Sequence, residues 1–275
     1  MQPSEHVTAR PVPSTVRPAG PGYGLRRYLR QVSAEQRVYW RNGASAFFTF
    51  FLPILFFLIF GSIYGNQTIS EEHIRAAPFL EAGMIGYGVA STAFAGLAIT
   101  MVIRRESGVL KRIRATPLPP PTYLLAVLLS TFVVFLIEAG LMIAIGRIFF
   151  DVALPARFFS LFVLLMFGAA CFAAMGLGLT GYIRSAEGSS AVVNFIYLPM
   201  AIISGTFFTP RSYPSFLEAI ASVLPLTYFT RLTREVMVRD RHLWTDWHAI
   251  AVVLIWGLIG LVAALRGFRW QPREG

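Results

Sequence analysis

Six stretches of this sequence stay apolar for about 20 residues or more, the length one helix needs to cross a hydrocarbon core. They cover about 44–64, 83–103, 122–146, 158–183, 188–209 and 248–266. Lipid offers no partner to a free backbone amide, so a chain crosses it as helices or as a closed barrel. These runs are continuous rather than alternating, which selects helices. Composition agrees: 55% of the 275 residues are hydrophobic and 14% are charged, too few polar groups to cover a soluble domain of this length. The expected fold is an all-α integral membrane protein with six transmembrane helices.

The segments between the spans set its orientation. Residues 1–22 hold five prolines and no apolar core of a signal peptide, and read as a disordered tail. Over 24–41, Leu25, Tyr28, Leu29, Val32, Gln36 and Tyr39 share one helical face, while Arg26, Arg27, Arg30, Arg37 and Arg41 lie mainly elsewhere. Such a basic amphipathic helix, ending in Tyr39 and Trp40, lies along a membrane surface. Pro53 marks a kink in the first span. The loop after it carries Glu71, Glu72, His73, Arg75 and Glu81, leaving the second span uncharged. The transmembrane domain is expected over 23–267, with a basic tail over 268–275. The N-terminal region, 104–121, 184–187 and the C-tail, counted with Arg266 at the end of the last span, together hold 16 basic residues, against 8 in 65–82, 147–157 and 210–247. Positive charge stays inside, so both termini are expected in the cytoplasm. A net charge of +10 would suit nucleic acid, but these charges sit between apolar runs and read as topology.

Several chemistries are missing. The only lysine, Lys111, is not in a Gly-x-x-x-x-Gly-Lys-Ser/Thr context, so the sequence has no phosphate loop. It has no His-Glu-x-x-His, no cysteine pair and no Gly-x-Ser-x-Gly. His6, His73, His242 and His248 are scattered, which argues against a metal. Cys171, inside an apolar run, reads as a small packing residue. No two carboxylates share a span. Glu138 is the one clear acid within the membrane. It reads as a hydrogen-bonded group facing the bundle, met by Ser130, Thr131 or a neighbouring helix; a substrate or proton site is the alternative. Asn194 carries the same ambiguity. Ala170, Ala174 and Gly178, and Gly83, Gly86 and Gly88, are candidate sites of close helix approach.

Two local motifs complete the pattern. The first is Arg105-Glu106-Ser107-Gly108-Val109-Leu110-Lys111-Arg112-Ile113-Arg114-Ala115-Thr116-Pro117-Leu118. The second is Ser204-Gly205-Thr206-Phe207-Phe208-Thr209-Pro210, followed by Tyr213-Pro214, Leu224-Pro225-Leu226-Thr227-Tyr228 and Arg234. In this order and at these spans they resemble ABC-2 type permeases, closest to the daunorubicin-resistance type of multidrug exporter. Leu224 replaces the family's usual Asn and Val109 its usual Thr. By itself, 104–116 reads as one short basic helix with Val109, Leu110 and Ile113 on an apolar stripe, and 214–238 as two short helices broken at Pro225.

The resemblance implies a transporter of two permease chains, identical or homologous, and two ABC ATPase subunits, which alone carry ATP and Mg. No cofactor, metal or catalytic residue is expected in this chain. The resemblance implies ATPase coupling through Arg105, Glu106, Ser107, Gly108, Leu110 and Arg112, with Arg30 and Arg37 of the first helix. It implies a substrate pathway at the permease dimer interface, for which Phe94, Met101, Asn194, Tyr197, Met200 and Phe207 are candidate linings. It also implies an outer re-entrant helix pair before the last span, marked by Pro210, Pro214, Pro225, Tyr228 and Arg234. Aromatic and methionine linings suit an amphipathic, drug-like or lipid-like cargo leaving a bacterial cell. Two other readings stand beside it: a proton-coupled carrier using Glu138, and a non-transporting membrane scaffold.

Overall fold

The computed structural model describes residues 22–116 and 118–271; residues 1–21 of the tail expected over 1–22, Pro117 and residues 272–275 lie outside them. Helix α1 (Gly22–Arg41) leads into α2 (Gly43–Tyr64), with the Asn42 side chain accepting from Ser45 N at 3.4 Å to cap it. A two-stranded ribbon, β1 (Thr68–Ile69) and β2 (Ile74–Arg75), precedes α3 (Ala76–Glu106). There follow α4 (Val109–Arg114), α5 (Pro120–Phe150), α6 (Phe158–Thr180) and α7 (Ala186–Ile203). Two short helices, α8 (Ser215–Ala221) and α9 (Pro225–Met237), stand before α10 (Trp247–Gly267). Among the described residues, six helices are long and apolar enough to cross a membrane: α2, α3, α5, α6, α7 and α10 with its leading turn. The proximal end of the bundle carries α1 and α4; the distal end carries the β-ribbon.

Helix α3 is the axis. In its most apolar stretch 78% of residues are buried, against 22% in α2 and 28% in α7. It starts at Ala76, well before the expected 83, so Glu81 lies inside a membrane helix and is 1% exposed rather than in a loop. The second span is therefore not uncharged. Apolar neighbours Ala77, Phe79 and Leu80 carry the acid inward, and a notch on α5 receives it. A Cβ on Gly146 would lie 2.5 Å from Glu81 Oε2. The reverse holds one step deeper, where a Cβ on Gly88 would lie 2.9 Å from Glu138 Oε1. Each helix thus lodges its carboxylate against a glycine of the other. Just past the Gly88 notch α3 widens into a π-helical segment, Val89–Gly96, a local irregularity that recurs at functional sites.

The most extensive seam joins α6 to α10. A Cβ on Gly260 would fall 2.5 Å from the Met175 backbone, and one on Gly257 would fall 2.7 Å from Cys171 Sγ. Small residues permit this approach, which lets backbones pack where lipid supplies no hydrophobic drive. Ala174 and Gly178 take part, whereas Ala170 is exposed and Cys171 occupies its place in the stripe. Cys171 is the packing residue its setting suggested. We expect Gly260→Val to wedge the seam and lower stability by about 1–3 kcal/mol. Gly140→Ala, which meets nothing within 4 Å, should change it little; thermal unfolding of the purified protein compares the two.

Candidate functional site

The proximal end is built on three consecutive residues at the close of α3. Arg104 pairs with Glu35 of α1 at 2.7 Å and donates to the Tyr123 hydroxyl of α5 at 2.8 Å. Arg105 turns the other way and is 2% exposed. It donates to the carbonyls of Thr180 at 2.8 Å and Ile183 at 2.6 Å, and through Nε to Glu106 at 2.6 Å. The two carbonyls lie at the end of α6 and just beyond it, where carbonyls lack helical partners, so Arg105 both caps α6 and fastens it to α3. The chain then turns at Ser107 and Gly108, the latter at φ +73°, where a residue without Cβ sits unstrained. The single basic helix expected over 104–116 is therefore two pieces: Arg104 to Glu106 complete α3, and only Val109–Arg114 stands apart. Leu110 is fully buried beneath it, while Ser107, Lys111, Arg112 and Arg114 are exposed. Arg30 and Arg37 are exposed on α1, with Arg37 donating to Ser33 Oγ at 3.2 Å. The expected coupling set thus divides into surface groups, Ser107, Arg112, Arg30 and Arg37, and an underlying frame of Arg105 and Leu110; Glu106 and Gly108 lie between.

Beside this end, α1, α2, α3, α5 and α7 enclose a cavity of about 420 Å³. Its wall is rich in hydroxyls and amides, among them Tyr39, Ser91, Thr131, Asn194 and Tyr197. The Tyr39 and Tyr197 hydroxyls are buried and have no close hydrogen-bond partner, with Thr49 beside the first and Tyr87 and Ser91 beside the second. Burial raises the Tyr39 phenol above its ordinary pKa, opposed by Thr49 beside it, so it stays a neutral donor. The π-helical turn of α3 brings Ser91, Thr92 and Gly96 to the wall. Thr92 Oγ1 also donates to Glu138 Oε2 at 2.8 Å. The partner of Glu138 is thus the neighbouring helix; Ser130 instead receives Gln36 Nε2 of α1, at 2.8 Å on its carbonyl and 3.0 Å on its hydroxyl.

The six candidate pathway residues do not share one surface. Asn194 and Tyr197 line the polar cavity. Phe94 and Met200 line a separate apolar groove of about 450 Å³ bordered by α6, α7 and α10. Met101 is 1% exposed in the core. Phe207 belongs to an aromatic cluster, its ring 5.7 Å from Phe56 and 5.5 Å from Phe60.

At the distal end, Pro210 opens a 3₁₀ turn, Pro214 precedes α8, and Pro225 begins α9, where its missing N–H costs nothing. The Tyr228 hydroxyl donates to Ser222 O at 2.7 Å across the break. Arg234 is buried; it donates to the carbonyl of Gly205, which sits at φ +80°, and its guanidinium carbon lies 3.5 Å from the Phe79 ring centroid. Glu72 of the β-ribbon, which pattern alone left in a loop, takes Arg239 at 2.7 Å, Thr209 at 3.2 Å and Arg211 at 3.9 Å. Among the described residues no three His, Cys, Asp or Glu side chains cluster to hold a metal.

Residues 30–238 match the profile of the family described as ABC-2 type transporter. The chain belongs to that family. The ABC-2 permease domain is not itself catalytic and typically carries no cofactor; such permeases function with ABC ATPase partners, and this chain is the permease subunit of such a transporter. Among its relatives is a bacterial protein, the putative transport permease YvfS of Bacillus subtilis (strain 168), 27% identical over 201 residues, covering 73% of this chain and 81% of the relative. Another is the daunorubicin resistance ABC transporter permease protein DrrB1 of Streptomyces coeruleorubidus, 23% identical over 222 residues, covering 78% and 75%. In this permease, Arg105→Leu should strand two carbonyls and Glu106 at the proximal end and lower stability by about 1.5–3 kcal/mol. Arg105→Lys, with one compact ammonium in place of the fork, should recover only part of it. Denaturant titration in mixed micelles measures both.

Proposed function

We propose that this permease is half of an ATP-driven exporter of the daunorubicin-resistance type in a bacterial plasma membrane, moving an amphipathic, drug-like or lipid-like cargo outward. Two copies, or one copy and a homologous chain, work with two ATPase subunits, and both termini face the cytoplasm. The observation that carries this reading is the family match over 30–238 in a sequence with no phosphate loop of its own. The name of the Streptomyces relative, a daunorubicin resistance permease, and the paired motifs at 105–118 and 204–234 support the drug-exporter branch.

The proximal surface is the ATPase seat in this reading. Ser107, Arg112, Arg30 and Arg37 meet the partner, and Leu110 and Arg105 anchor α4 so that a push is transmitted rather than absorbed. The second permease sits against α7, whose Phe195 is 82% exposed and whose Ile202 and Leu198 are also bare. At the distal end α8 and α9 form the re-entrant pair that caps the route, held by Arg234 and Glu72. Phe94, Met101, Asn194, Tyr197, Met200 and Phe207 line or support the pathway.

Co-purification with a P-loop ATPase and vanadate-sensitive export are the expected results. Export untouched by vanadate from a chain that binds no ATPase would overturn the reading. Glu106→Ala and Leu110→Asp should leave ATP hydrolysis running while transport per ATP falls at least several-fold. Wild-type coupling in both, measured in proteoliposomes, would remove α4 as the lever.

A further inference from the structure

We propose that the polar cavity between α1, α2, α3, α5 and α7 is a binding site, complete within one chain, for the uncharged, hydroxyl-rich headgroup of an amphiphile. It rests on the exporter reading for its purpose, as the cargo's seat, but not for its chemistry. Hydroxyls and amides on a wall inside a bilayer are unfavourable unless something polar meets them. Elsewhere this bundle closes its helix seams with glycine and alanine. Here two phenols converge instead: Tyr39 and Tyr197 line the space, their buried hydroxyls make no close hydrogen bond in the chain, and Tyr197 is 5% exposed. Asn194 and Thr131 add donors and acceptors to the same wall.

The wall also selects against charge. Its acid, Glu35, is held by its base, Arg104, at 2.7 Å. The nearest other acid, Glu138, stands behind Thr92 and against Gly88 rather than on the wall. No free charge is left to pair with an ionic headgroup. The Tyr87 and Tyr197 rings, 5.6 Å apart and tilted, add apolar faces next to hydroxyl edges, the mixture a sugar-like ring presents in reverse. A volume of about 420 Å³ falls in the usual range of small-molecule sites, roughly 300–1,000 Å³. At the rim, Val38 and Phe48 are 55% and 57% exposed. An apolar tail can leave there between α1 and α2 while its headgroup stays inside.

The test uses the full chain in nanodiscs and three fluorescent probes with one alkyl tail and different heads: a glucoside, a trimethylammonium and a sulfate. The glucoside should bind at least tenfold tighter than either charged probe. Tyr39→Phe and Tyr197→Phe should each weaken glucoside binding about five- to tenfold, one hydrogen bond's worth. Neither hydroxyl makes a close hydrogen bond in the chain, so the melting temperature should change little in both. Phenylalanine variants that bind the glucoside like wild type would overturn the site, and a charged probe binding as tightly would overturn the headgroup class. Failure to associate with any ATPase strikes the exporter reading and leaves this binding measurement intact. Loss of the glucoside preference with the ATPase still bound strikes the cavity alone.

Discussion

A bilayer supplies no hydrogen bonds, and the way α3 meets that condition governs the rest of this protein. The helix carries Glu81, Arg104, Arg105 and Glu106, more ionisable groups than a membrane helix would ordinarily hold, and the polar Thr92. Nearly every one is turned to a specific partner on another element. Arg104 reaches α1 and α5, Arg105 reaches the end of α6, and Thr92 reaches Glu138 of α5. Glu81 has only the Gly146 notch. These contacts cost desolvation and gain position. They hold α3 in a fixed rotation and depth relative to three neighbours, which apolar packing against lipid-like surfaces would do poorly.

From that fixed axis the bundle separates into a firm part and an open part. The firm part is α3 with α6, α9 and α10, closed by glycine contacts and by Arg234 on Gly205. The open part is α1, α2 and α7, whose faces are largely bare and which border the polar cavity. Force applied to α4 meets this division at once. On the exporter reading it passes through Arg105 into the α6–α7 link and through Arg104 into α1. The two adjacent arginines thus direct one input to both sides of the cavity, which a flexible loop in their place could not do.

The membrane character, the spans and the two helices flanking Pro225 were legible because hydropathy and proline are local signals. The misreadings share one cause. Charge was taken as a marker of loops, so Glu81 was placed outside the second span and Arg104 to Glu106 were joined to the following basic helix. A charge marks a loop only when nothing inside can satisfy it, and the satisfying groups here are distant in sequence: Gly146 for Glu81, Thr180 and Ile183 for Arg105, Glu35 for Arg104. The cavity was half legible. Asn194 and Tyr197 were singled out on α7, but Tyr39 was read only as an interface ring, because nothing local shows that α1 folds back over α3 and α5. The π-helical turn that brings Ser91 and Thr92 to the wall has no sequence signature in this chain.

The same geometry bears on what drives the protein. A proton-coupled carrier needs titratable groups linked by a wet or hydrogen-bonded path. The two acids buried within membrane-spanning helices face opposite notches, Glu81 at Gly146 and Glu138 at Gly88. Seven residues separate Glu81 from Gly88 on α3, so the acids stand about 10 Å apart along the axis at 1.5 Å per residue. Between them α3 presents Ala82, Gly83, Met84, Ile85 and Gly86, all buried, with Tyr87 the only side chain there able to bond a proton carrier. Thr92, the one group bonded to Glu138, lies beyond it on the proximal side. Such an arrangement locks two antiparallel helices in register by shape, acid into glycine. On the exporter reading the energy enters at the proximal end, where Arg30 and Arg37 of α1 and Lys111 and Arg112 of α4 are exposed to a partner that brings its own phosphate chemistry.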